Sequence, residues 1–80
     1  MSDPKHTADL TLDAMGLVCP EPLMLVRNQV RAMRSGQVLY VTATDPSTGR
    51  DFHIFCRFLG HELLDERKCG STFHYWIRKG

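Results

Sequence analysis

Eighty residues hold one small domain with a thin core, so its elements must pack as a single layer against a sheet or against each other. With 42% hydrophobic and 24% charged residues, and ten basic side chains against nine acidic, the composition is that of an ordinary globular chain and exerts no global pull toward nucleic acid or a membrane. Three cysteines cannot all pair within one chain and include no Cys-x-x-Cys, which argues against a disulfide scaffold.

The opening stretch, MSDPKHTADL, is polar, without the apolar region of a secretory signal, and no run approaches the roughly 18 apolar residues of a spanning helix. The setting expected from this is reducing and cytoplasmic. Residues 1–8 read as a flexible tail and 9–80 as a single domain.

From Asp9, DLTLDA alternates and places Leu10, Leu12 and Ala14 on one face, a short strand that Gly16 breaks. From Pro20 the period changes. Leu23, Val26, Val30 and Met33 recur at helical spacing, with Arg27, Asn28, Arg31 and Arg34 mostly off that stripe; Ser35-Gly36 is the expected stop. QVLYVTAT is a β-branched, aromatic strand, and DPST turns the chain. Thr48 and Asp51 have the spacing of a capping box ahead of a second helix with Phe52, Phe55, Cys56 and Leu59 on its apolar face and Gly60 at its end. HELLDERK and TFHYWIRK form two strands joined by a turn at Cys69-Gly70-Ser71, with Tyr75 and Trp76 on opposite faces. The predicted fold is an α+β two-layer sandwich of order βαβαββ, its two helices packed on one face of a four-stranded mixed sheet.

The stretch GLVCPEPLML sets a cysteine between a strand and a helix. At or beside the N-cap, Cys19 meets unpaired amides and the positive end of the helix dipole, which favour the nucleophilic thiolate. Pro20, placed at N1, and Pro22 suit a first turn whose amides the ladder does not need. Glu21 favours the helix start electrostatically and opposes thiolate formation. A lone cysteine also reads as a small buried hydrophobe, and both readings stand at this point. A disulfide oxidoreductase needs a resolving cysteine, and none lies nearby. A cysteine hydrolase needs a base and an orienting group, and none is tied to Cys19 by a motif. A thiol that carries a group covalently and hands it on fits what remains.

Cys19-Pro20-Glu21-Pro22 resembles the Cys-Pro-x-Pro hallmark of the TusA, or SirA-like, family of sulfur carriers. The likeness extends over TLDAMGLVCPEPLMLVR, DPSTGRDFHIFCRFLGHEL and YWIRKG, nearly the whole chain from Thr11 to Gly80. It implies the same βαβαββ sandwich, and a Cys19 that takes sulfane sulfur from a cysteine desulfurase of the IscS type. The persulfide then passes to the TusBCD complex and through TusE toward the enzyme that thiolates the wobble uridine of certain tRNAs. TusA-like proteins also serve sulfur oxidation and molybdenum-cofactor sulfur supply, and the residues alone do not choose among these acceptors. Cys69 departs from the family pattern and reads as tolerated in its turn.

Cys56 belongs to the apolar stripe and reads as core. His6, His53, His61 and His74 show no metal-ligand spacing, so neither metal nor cofactor is expected. Arg27 and Arg31, with Arg34, form a basic stripe on the first helix that is either a solvated face or a dock for acidic partners. Arg50 and Asp51 open the second helix and join the candidate partner-binding set, on the expectation that both helices begin at one sheet edge. No direct nucleic-acid contact, no membrane contact and a monomer are expected. The rival readings are a regulatory module with a structural cysteine, and a redox protein that pairs Cys19 with a partner's thiol.

Overall fold

The computed structural model describes residues 8–80, so most of the tail assigned to residues 1–8, with His6, lies outside the described residues. The elements are β1 (Leu10–Ala14), α1 (Glu21–Arg31), β2 (Val38–Ala43), α2 (Thr48–Leu59), β3 (Glu62–Cys69) and β4 (Thr72–Arg78), in the predicted order. The sheet runs β1-β2-β4-β3. β1 and β2 are parallel, with Leu12 opposite Val41. β4 lies antiparallel to both β2 and β3, with Val41 opposite Tyr75. A register shift between Leu63 and Asp65 bends the outer strand β3.

Both helices cover one face. Val26 and Val30 from α1, and Phe52, Phe55 and Cys56 from α2, pack with Ala14, Leu39, Val41, Ala43, Tyr75 and Ile77 in a single core. The strand residues in that set alternate along each strand, as a half-buried sheet requires. The opposite face has no helix, yet Trp76 is only 7% exposed. Tyr40 lies against it at 5.0 Å, and the Arg67 guanidinium sits 5.4 Å from its ring. Side chains of the sheet, rather than a helix, cover the second aromatic of the Tyr75-Trp76 pair. Among the described residues no helix is long and apolar enough to cross a membrane.

The helix ends depart from the sequence reading in three places. α1 stops at Arg31, ahead of Ser35-Gly36, because the Ala32 and Met33 amides turn back to Gln29 and Val30 in a tightened last turn. Gly36 does take a left-handed φ of 92°, but in the turn into β2. No capping box forms at α2: its N-cap is Ser47, without a side-chain cap. Leu59 is exposed rather than in the core, at the last position of α2, before Gly60 ends the helix in the left-handed conformation.

What replaces the capping box is a buried relay. The Thr48 hydroxyl donates to the Asp45 carbonyl at 2.8 Å, so its oxygen accepts from the Tyr75 hydroxyl at 2.7 Å. Thr48 is 1% exposed, and this pair ties the start of α2 to the middle of the sheet. Phe52, one turn on, meets the Tyr75 ring edge-on at 4.7 Å. Thr48→Val removes the donor and leaves the Tyr75 hydroxyl without its acceptor; urea unfolding should show a loss of about 1–3 kcal/mol. Thr48→Ser keeps the hydroxyl and should lose clearly less.

Candidate functional site

Because β1 and β2 are parallel and in register through Ala14 and Ala43, the loops leaving them emerge at the same sheet edge. Both helices therefore begin side by side, as expected from the sequence. Two hydrogen bonds join the two loops, and a third joins the first loop to α2. The Gly16 amide donates to the Thr44 hydroxyl at 2.9 Å, the Cys19 amide to Asp45 Oδ2 at 2.5 Å, and the Cys19 thiol to Asp51 Oδ2 at 3.3 Å. Cys19 is exposed.

The prolines stand one position away from where the sequence placed them. Pro20 is the N-cap of α1 rather than N1, Glu21 is N1 and Pro22 is N2; the Cys19–Pro20 bond is cis. Pro22 is buried and anchors the first turn, whereas Glu21 faces solvent. Early positions tolerate proline because their amides have no ladder partner. Cys19 thus precedes the cap, and its own amide points at a carboxylate.

That geometry reverses the expected acidity. The Cys19 thiol is held above the ordinary range of a free cysteine. Its hydrogen bond to Asp51 is the main cause; partial loss of hydration and the negative charges of Asp51 and Asp45 add to it, and only the Ser47 hydroxyl works the other way. The helix start does not make this thiol more acidic, because the Asp51 carboxylate accepts its hydrogen and favours the protonated form.

Asp45 was not singled out from sequence, yet it organises the site. Oδ1 accepts from the Ser47 amide at 3.0 Å and its hydroxyl at 3.1 Å, while Oδ2 accepts from the Cys19 amide. The backbone bonds from Ser47 and Cys19 hold its carboxyl below the ordinary value of 3.8. An aspartate ahead of Pro-Ser-Thr signals the local turn. The bond to Cys19 spans 26 residues and has no local signature.

Of the other candidate residues, Arg27 and Arg31 are exposed on α1, Arg34 is exposed beyond its end, and Arg50 is exposed on α2. An apolar groove of about 270 Å³ is lined by Leu23, Asp51, Ile54, Phe55, Phe58 and Leu59. Phe58 is 86% exposed, and Met24 and Ile54 each show about half their surface (53% and 51%). Asp51 lines the groove and also meets Cys19.

The remaining cysteines stand apart. Cys56 is buried in the core, and burial pushes its thiol up to about 11. Cys69 is exposed at the end of β3, opposite Thr72. The hairpin turn lies at the same sheet edge as Cys19, but β2 and β4 separate β1 from β3.

A family model described as sulfurtransferase TusA matches residues 10–79. The sulfur carrier protein TusA of Pseudomonas aeruginosa (strain LESB58) is 54% identical over 74 residues, covering 92% of this chain and 94% of that one. The protein of the same name from Pseudomonas entomophila (strain L48) is 56% identical over 79 residues, covering 99% of this chain and 96% of the other. The crystal structure of a SirA-like protein from Desulfitobacterium hafniense has the same fold, with a TM-score of 0.78 at 20% identity over 89% of this chain and 97% of that one.

The Asp45 bonds generate a test. Asp45→Ala removes the acceptor of the Cys19 and Ser47 amides, and both should exchange hydrogen for deuterium faster while the core strands keep their protection. Acid should do the same to the native chain. A carboxyl held below 3.8 contributes fully above that value, and its contribution disappears as pH falls through the lower folded value.

Proposed function

The chain belongs to the TusA sulfurtransferase family, whose members transfer sulfur as carriers, and from that premise we propose that it carries sulfur as a persulfide on Cys19. The observation behind this reading is an exposed, unpaired thiol held on a braced loop, at the Cys-Pro-x-Pro start of α1. Such a thiol accepts a sulfur and waits; it does not close a ring.

Loading is a displacement. The Cys19 sulfur, losing its proton, attacks the terminal sulfur of a donor persulfide. A new S–S bond forms on Cys19, the donor's S–S bond breaks, and the electron pair leaves on the donor's thiolate. Unloading repeats the step with an acceptor thiolate attacking the terminal sulfur and Cys19 as the leaving group. No outside oxidant or reductant is consumed. Pro20 and Pro22 limit how the loop before α1 can move, and Glu21 supports the helix start.

The donor in this reading is a cysteine desulfurase of the IscS type. The acceptor is the TusBCD complex, on the route to 2-thiolation of the wobble uridine of tRNA. Arg27 and Arg31 on α1 and Arg50 on α2 supply exposed positive charge, and among the described residues none of them is in an ion pair. Exposed cations steer acidic partners, and the groove lined in part by Asp51 offers them an apolar seat.

Incubation with cysteine, pyridoxal phosphate and a desulfurase should add one sulfur, about 32 Da by mass spectrometry, as one rung of cysteine oxidation chemistry. The gain should be absent from Cys19→Ser and kept in Cys69→Ser. A Cys19→Ser chain that gains sulfur as fully as the native one contradicts the assignment. Arg27→Ala with Arg31→Ala should slow loading several-fold at low salt and lose most of its salt dependence, with little change once the desulfurase is saturating. A double variant with native salt dependence contradicts the docking role.

A further inference from the structure

The groups around the empty thiol are unusual for a nucleophile. Two carboxylates act on the sulfur, Asp51 as its hydrogen-bond acceptor and Asp45 from the neighbouring loop, and the third neighbour is the uncharged Ser47 hydroxyl. Glu21, the first residue of α1, has no side-chain hydrogen bond or ion pair among the described residues and adds further negative charge at that end of α1. The Cys19 backbone is held in place by Asp45, so the side chain has one main freedom, rotation toward or away from α2.

We propose that Asp51 is a positioning residue that reads the loading state of Cys19: it holds the empty thiol against α2 and turns the persulfide outward, toward an acceptor. The proposal rests on Cys19 being the sulfur-bearing residue. Its basis is proton inventory. A thiol has one hydrogen to donate, and Asp51 Oδ2 stands 3.3 Å from the sulfur to receive it. When the S–S bond to the incoming sulfur forms, the thiol proton leaves by way of the Asp51 carboxylate to water or to the departing donor thiolate. Cys19 Sγ then has no hydrogen. The terminal sulfur is a stronger acid than a thiol and is an anion near neutral pH. An attraction between donor and carboxylate becomes a repulsion between like charges, and the charged groups that act on the Cys19 sulfur are both carboxylates, Asp51 and Asp45. Nothing packs over Cys19, which is exposed, so the outward rotamer is open.

Two consequences separate this device from a merely structural aspartate. The empty carrier is quiet, because a carboxylate at the sulfur suppresses the thiolate that stray oxidants and electrophiles attack. The loaded carrier is indifferent to Asp51, because its reactive sulfur has left that neighbourhood. Replacing the carboxylate should therefore matter in one state and not in the other.

The test uses the full chain with Cys69→Ser, so that Cys19 is the accessible thiol, and follows iodoacetamide labelling by mass spectrometry across pH. Asp51→Asn should move the labelling profile of the empty chain to lower pH. Each tenfold gain in thiolate is discounted by a roughly threefold loss of intrinsic nucleophilicity, so the rate near neutral pH should rise about three- to fourfold per pH unit moved. After loading with inorganic polysulfide and desalting, Asp51→Asn should label its persulfide within about twofold of the Asp51 chain. The native aspartate supplies its own control: folded, its Cys19 should label with a higher pH midpoint than the same chain in denaturant, a comparison that does not depend on the variant folding. An empty-state rate unchanged or lowered by Asp51→Asn overturns the latch, as does a folded midpoint at or below the unfolded one. A loaded-state rate raised as much as the empty-state rate overturns the outward turn. The empty-state arm uses no sulfur, so it stands apart from whether a desulfurase loads Cys19.

Discussion

The Asp45 carboxylate is the constraint on which the site depends. One oxygen accepts from the Cys19 amide and the other from the Ser47 amide and hydroxyl. Its backbone carbonyl accepts from Thr48, whose oxygen in turn receives the Tyr75 hydroxyl from the middle of the sheet. A surface cysteine is thereby connected, bond by bond, to a residue that is 1% exposed. The parallel pairing of β1 with β2 makes the connection possible, since it brings both loops to one edge. Without Asp45, the thiol rides on an unbraced loop, and its distance from Asp51 is no longer defined.

A carrier faces opposed demands. It must react with a donor and an acceptor, yet stay unreactive between them. A helix N-terminus alone would answer the first demand by favouring thiolate. The site answers the second by surrounding the thiol with carboxylates and leaving the cap position to a proline. Docking then has work to do beyond bringing two sulfurs together, because a partner surface that displaces or neutralises Asp51 changes the acidity of Cys19. Asp51 also lines the apolar groove between the helices.

Much of this architecture was legible in the residues. Period-two alternation in DLTLDA, helical spacing from Leu23 to Met33 and the turn at Gly70 define elements by local rules, and those elements are present in the predicted order. Cys19 with its prolines stood out for the same reason. Four features were not legible. The end of α1 is set by a tightened last turn, which competes with the left-handed glycine further on. The Thr48–Asp51 spacing signals a capping box, but Thr48 bonds to Tyr75 and Asp51 to Cys19, both partners distant in sequence. The acidity of Cys19 had the wrong sign for the same reason: the dipole is a property of the local helix, while the carboxylates arrive from a loop and a helix beyond β2. Leu59 fits the apolar stripe by spacing, yet ends in the groove rather than the core.

The most direct measurement of the central claim is a single-turnover chase. Cys19 is loaded with radioactive sulfur by a cysteine desulfurase, the labelled chain is purified away from donor and free cysteine, and it is mixed with purified TusBCD. The account predicts that label leaves this chain and appears on the acceptor in equal amount, and that prior alkylation of Cys19 prevents it. Label that stays on Cys19, or that reaches TusBCD equally well from a chain blocked at Cys19, contradicts it.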